Sequence, residues 1–214
     1  LYNDYEERKG GLQMDSKLLL AKNSLIENGF KVKIFSNRQE VKEALLNEVS
    51  LEESIAFGGS VTLNELGLYE EFKDRGNKIY WHWKADDKRA ALESAVNTDV
   101  YMTSTNALTL DGKLVNMDGT GNRVSSMIFG HKRVYVIAGR NKICKDYNEA
   151  RERIRNIAAP LNAKRLNTNT PCRFTGKCND CDSPDRMCKA EIVLHKNPTG
   201  TEIIIYIVDE DLGY

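Results

Sequence analysis

The chain has 214 residues, 41% of them hydrophobic and 29% charged, with 31 basic residues balancing 31 acidic ones. That size and composition fit one well-buried domain, or one domain with a small appendage. Zero formal charge removes the basic excess that a general nucleic-acid binder needs, and no apolar run approaches the about 20 residues of a membrane-spanning helix, so neither partner is expected.

The first residues, LYNDYEERKGG, are too charged for a secretory signal. They open on Leu1 rather than methionine, which points to a truncation or a cleavage remnant, and a cytoplasmic location is the expectation. From Asp15 to Asn28 the residues Leu18, Leu19, Ala21, Leu25 and Ile26 recur at helical spacing, with Gly29 where a C-terminal cap belongs. Val32, Ile34 and Phe35 read as a strand. Asn37 with Glu40 is a capping signature for a helix to about Val49.

The alternation continues with a strand at Ser54 to Phe57, a cap at Thr62 with Glu65, and a helix from there to Arg75 stopped by Gly76. Lys78 to Trp83 reads as a strand, which would put the rings of Trp81 and Trp83 on one face and His82 on the other. Asp86 to Asn97 reads as a helix and Val100 to Ser104 as a strand. Asp111-Gly112, between two apolar segments of Ala107 to Met117, signals a β-hairpin. Arg133 to Ala138 is a buried strand, and a helix from about Asp146 ends near Pro160. Glu191 to His195 and Glu202 to Val208 read as a strand pair joined through Asn197, Pro198 and Gly200. The pattern predicts an α/β fold with a largely parallel sheet flanked by helices, a hairpin insertion and a C-terminal cysteine loop. Its parts are an N-terminal helical segment (1–30), an α/β domain (31–166), a cysteine-rich metal-binding loop (167–190) and a C-terminal strand pair (191–214).

Four polar clusters fall at strand ends. Gly58-Gly59-Ser60 with Thr62 follows a strand and opens a helix, where backbone N–H groups can meet an anion; its plainer reading is a turn that needs positive φ. Asp118-Gly119-Thr120-Gly121-Asn122-Arg123 adds an arginine suited to a bidentate anion contact. Thr103-Ser104-Thr105-Asn106 and Gly139-Arg140-Asn141-Lys142 complete the set. Ligands of open α/β sheets bind beyond the carboxyl ends of strands, so these loops can converge on one small anionic ligand. The expected contacts are Gly58, Gly59, Ser60, Thr62, Asn106, Asp118, Gly119, Gly121, Asn122, Arg123, Asn141 and Lys142. His131 and His195 carry no ligand spacing.

Cys172, Cys178, Cys181 and Cys188 stand apart from Cys144, separated from one another by five, two and six residues. In a reducing compartment such a group reads as a metal or cluster cage rather than a disulfide framework. Four thiolates suit an iron–sulfur cluster or a structural zinc, and their spacing matches neither the compact ferredoxin pattern nor a zinc ribbon.

Taken together, Gly58-Gly59-Ser60-Val61-Thr62, Thr105-Asn106-Ala107 with Asp118 to Arg123, and Gly139 to Lys142 with Ile154-Arg155-Asn156-Ile157-Ala158-Ala159-Pro160 resemble the LUD domain family of lactate-utilisation proteins. The segment from Thr175 to Cys188 marks a cysteine-bearing subgroup. The resemblance implies a fold like that of the NagB/RpiA/CoA-transferase group. It also implies an accessory or redox role in oxidation of lactate or a related 2-hydroxy acid, beside iron–sulfur partner proteins, and it favours an iron–sulfur cluster over zinc at the cysteines. Glu65 is the carboxylate to compare with a CoA-transferase nucleophile, although its context differs from that motif. The alternative reading is a stand-alone transferase or ligase for coenzyme A, a nucleotide or a sugar phosphate, with a structural zinc; a scaffolding role without turnover is a third.

Overall fold

A computed structural model describes residues 16–214, so Asp15 and the segment before it lie outside the described residues. Helix α1 (Ser16–Glu27) buries Leu18, Ala21 and Leu25, one stripe at helical spacing, and leads to strand β1 (Lys31–Phe35). Helix α2 (Arg38–Glu48) is capped by the Asn37 side chain, which accepts from the N–H groups of Gln39 and Glu40, while Glu40 reaches back to the Ser36 N–H. Strand β2 (Ile55–Phe57) is fully buried.

The next helix differs from expectation. Ser60 rather than Thr62 caps it, its Oγ accepting from Leu63 N, and Gly67 at φ 66° breaks it into α3 (Val61–Leu66) and α4 (Leu68–Arg75). Strand β3 is only Ile79–Tyr80, because Trp81 to Trp83 turn away to stack their indoles, with centroids 5.4 Å apart and planes 18° apart. The expected single-faced aromatic strand is therefore absent from these positions.

Helix α5 (Lys88–Ala95), strand β4 (Val100–Thr103) and the hairpin of β5 (Ala107–Thr109) with β6 (Leu114–Asp118) follow the sequence pattern. After helix α6 (Asn122–Ile128) and strand β7 (Arg133–Gly139), a 3₁₀ turn (Arg140–Lys142) leads into strand β8 (Ile143–Cys144) and helix α7 (Tyr147–Arg153). The helical path does not end at Pro160. A π-helical turn (Ile154–Ala158), in which Ala159 N–H reaches back to Ile154 O, leads into α8 (Ala159–Leu166) with Pro160 in its first turn, where a missing donor is tolerated. Short helix α9 (Pro171–Thr175) and strands β9 (Ala190–Leu194) and β10 (Glu202–Val208) complete the chain.

Two sheets result. The larger has the order β1-β10-β7-β4-β2-β3 and is parallel throughout; the smaller has the order β8-β5-β6-β9. The two last strands, expected to pair with each other, go to different sheets: β10 lies between β1 and β7, and β9 runs antiparallel to β6. The apolar sequence of β10, buried from Ile203 to Val208, suits a central strand covered on both faces. Alternation along β7 divides the core, with Tyr135 and Ile137 packed among residues of α2, α3 and α4, and Val134 and Val136 packed with α1, α5 and α6. Ala107, Val115 and Cys144 of the small sheet meet Ala150 of α7 in a third cluster. No helix among the described residues is long and apolar enough to cross a membrane.

Candidate functional site

The parallel strands β2, β4, β7 and β10 all run toward the same edge, so the segments that leave them meet there. A cavity of about 800 Å³ opens at that edge. Gly59, Ser60 and Thr62 after β2, Asn106 after β4, Asp118, Gly119, Asn122 and Arg123 after β6, and Lys142 after β7 all line it. Gly58, Gly121 and Asn141 do not. A Cβ on Gly58 would stand 2.8 Å from both Thr103 Oγ1 and Tyr101 Oη, so this glycine is required by close packing of β2 on β4, and neither it nor Gly59 has a positive φ. Gly121 precedes α6. The Asn141 side chain donates to Gly213 O and accepts from Leu212 N, which ties down the C-terminal segment whose Tyr214 lines the cavity.

The polar centre of the cavity is Lys142. Its side chain is only 2% exposed, and Nζ donates to Thr62 Oγ1 and Ser104 Oγ at 2.8 Å each. Burial, with Arg153 and Arg123 nearby, pushes its ammonium down to about 7. Arg123 is held by Asp118 at 3.1 Å, by Asn106 Oδ1 at 3.0 Å and by Met117 O. Burial pushes the Asp118 carboxyl up, but Arg123 beside it, with the N–H groups of Gly121 and Thr120, holds it below the usual carboxylate range. Asn106 also accepts from Met117 N, so the first polar side chain beyond β4 and the arginine beyond β6 form one braced unit.

Residues beyond those expected complete the walls. His82, Trp83 and Lys88 stand on one side, and Asn162, Arg165 and Tyr214 on another. The Arg165 guanidinium lies 4.4 Å from the Trp83 ring centroid and donates to Tyr214 Oη at 2.9 Å. The Trp83 ring is thus engaged by Trp81 and Arg165. Burial, then Lys88 and Arg165, keep the His82 imidazole below its usual range. Arg165 carried no sequence signal, because it sits on α8 beyond the proline that reads as a helix stop. Glu65 is not a cavity residue; its carboxylate accepts from Gly213 N.

The cysteine loop forms the remaining wall through Pro184 to Lys189. It is fastened to β6, with Lys189 N donating to Asp118 O at 2.9 Å, and a Cβ on Gly119 would stand 2.8 Å from Met187 O. Arg186 staples the loop internally, donating to Cys188 O, Cys181 O and Asp180 Oδ1. All five cysteines are free thiols. Cys172, Cys178, Cys181 and Cys188 line one small cavity of about 20 Å³, room for roughly one water-sized particle. Asp180 N donates to Cys178 Sγ at 3.4 Å, and Arg155 of the π turn donates to the same sulfur. Burial, then the neighbouring thiols, push Cys188 up to about 11. The four sulfurs converge, yet among the described residues no group of three His, Cys, Asp or Glu is arranged to hold a metal ion as it stands.

A model of the LUD domain matches residues 18–208, which takes in both sheets, the cavity and the cysteine loop. The chain belongs to the LUD domain family. That family is associated with lactate utilisation. This LUD chain is also similar in fold to the crystal structure, at 1.70 Å resolution, of a DUF162 family protein from Deinococcus radiodurans. The TM-score is 0.50 at 9% identity, over 92% of this chain and 99% of that one, a likeness that concerns the fold alone. No curated protein matches the chain.

Proposed function

We propose that this LUD protein is an accessory or redox subunit in oxidation of lactate or a related 2-hydroxy acid, and that it binds the acid or its 2-oxo product as an anion against Lys142 and Arg123. The observation that carries this reading is the convergence of those two cations with Ser104, Thr62 and Asn106 on one strand-end cavity. Below about pH 7 Lys142 is an ammonium and meets a carboxylate by charge; above it, the hydroxyls of Ser104 and Thr62 and the Arg123 guanidinium remain. The partners in this reading are iron–sulfur proteins of the same oxidation.

Cys172, Cys178, Cys181 and Cys188 would hold an iron–sulfur cluster, for which the all-sulfur donor set and the N–H···S contacts at Cys178 are suited. A bound cluster would supply one-electron transfer. Two observations favour a second reading, a transferase or ligase with structural zinc. The space between the sulfurs suits a single ion, and the main cavity lies high in the roughly 300–1,000 Å³ range of ligand sites, large enough for coenzyme A fragments, a nucleotide or a sugar phosphate.

Anaerobic purification followed by iron, acid-labile sulfide and zinc analysis decides between the metals, and thermal shift with each ligand class decides between the acids, since a ligand of the native state raises apparent stability. Iron with sulfide, a spectrum bleached by dithionite, and stabilisation by lactate or pyruvate are expected. Stoichiometric zinc with stabilisation only by coenzyme A, nucleotides or sugar phosphates would overturn the first reading.

A further inference from the structure

We infer that Lys142 is an amine nucleophile that condenses with the keto group of a 2-oxo acid and holds it in the cavity as a covalent imine. The inference rests on the reading of the cavity as a 2-hydroxy or 2-oxo acid site.

Its basis is the setting of one side chain. Lys142 lines the cavity while being almost wholly buried. Both partners of its Nζ, Thr62 Oγ1 and Ser104 Oγ, are hydroxyls, and no carboxylate among the described residues forms an ion pair with it. The charged groups acting on it are Arg153 and Arg123, which disfavour the ammonium, and Glu65, which favours it weakly. Arg153 is fixed against Asn141 O and Asn106 O, and Arg123 against Asp118, so neither repulsive charge can swing away. A buried lysine kept from a carboxylate and set among cations is the arrangement that yields neutral amine at ordinary pH. A lysine bound only to anchor an anion gains nothing from such a setting.

The chemistry balances without an outside oxidant or reductant. The Nζ lone pair forms a bond to C2 of the 2-oxo acid as the C=O π pair moves onto oxygen. That oxygen takes a proton and nitrogen releases one, with Ser104 and Thr62 within reach as carriers. The resulting carbinolamine loses water to leave C=N. One amine and one ketone give one imine and one water. Arg123 faces the same cavity and meets the substrate carboxylate, which selects a 2-oxo acid over an uncharged ketone.

The test is reductive trapping. The full chain is incubated near pH 7 with pyruvate and cyanoborohydride, digested, and each lysine peptide is weighed. A carboxyethyl group on Lys142, at least about tenfold above that on any exposed lysine, is the expected result, since the neutral fraction of an ordinary lysine is far smaller at that pH. Lys142→Arg, with its fold checked by near-ultraviolet circular dichroism, should give no adduct at that position. If pyruvate stabilises the unmodified chain but leaves Lys142 unlabelled, the imine is wrong and the acid-binding reading stands. If pyruvate neither stabilises nor labels, both fall. Mapping in the unmodified chain decides the matter even where the arginine variant misfolds.

Discussion

Lys142 is where stability and chemistry pull in opposite directions. Its folded pKa of about 7 lies below the ordinary 10.5, so between those values the unfolded chain binds the extra proton and native stability rises with pH. Below about pH 7 the full penalty of the buried ammonium is present. Lys142→Met is therefore expected to stabilise the fold at pH 7 by about 1–3 kcal/mol in urea denaturation, with loss of anion binding. Destabilisation instead would mean that the bonds to Thr62 and Ser104 outweigh the burial term. Gly119 carries a second expectation. With Met187 O only 2.8 Å from an added Cβ, Gly119→Ala must push the cysteine loop off β6, and metal retained through purification should fall while circular dichroism stays unchanged. Of the cavity-lining polar residues, those beside glycines at strand ends were legible in the sequence, because Gly-rich polar runs after apolar runs mark strand-end loops. Arg165 and Tyr214 were not, since they reach the site only through packing on Trp83.

At the scale of elements, local signals were read correctly where one cap or one turn decides the outcome, as at Asn37 and at Asp111-Gly112. They misled where two signals compete. Ser60 and Thr62 are both capping residues, and Ser60 wins because Thr62 is drawn into bonds with Leu212 O and Lys142. Pro160 reads as a stop, but the π turn before it lets the helix continue and carries Arg155 to Cys178 and Arg165 to the cavity. Deleting one residue between 154 and 158 should convert that turn to α geometry and rotate α8 by about 100°. The expected result is preserved helix content with ligand binding weakened, read by circular dichroism and calorimetric titration. Unchanged binding would show that α8 does not contribute to the site.

The whole molecule depends on pairings that no local pattern records. Alternating strands and helices announce a parallel sheet, yet nothing in Glu202 to Val208 says that it lies between β1 and β7, residues far away in sequence. Likewise β8 and β9 are too short and mixed in character to reveal that they join the hairpin in a second sheet. Ile205, fully buried near the middle of β10, tests this topology. Ile205→Ala should cost about 2–5 kcal/mol in denaturant unfolding, whereas a residue of an edge strand pair would cost much less. The same topology makes the site, since β2, β4 and β7 deliver Ser60, Asn106 and Lys142 to one edge, while β6 and β9 hold the cysteine loop across from them. The most direct measurement is an amide NMR titration of the isotope-labelled chain with pyruvate. Saturable shifts concentrated at Ser104, Asn106, Arg123 and Lys142 are expected; no shifts, or shifts confined to residues away from the strand-end cavity, would contradict the assignment of this cavity to a 2-hydroxy or 2-oxo acid.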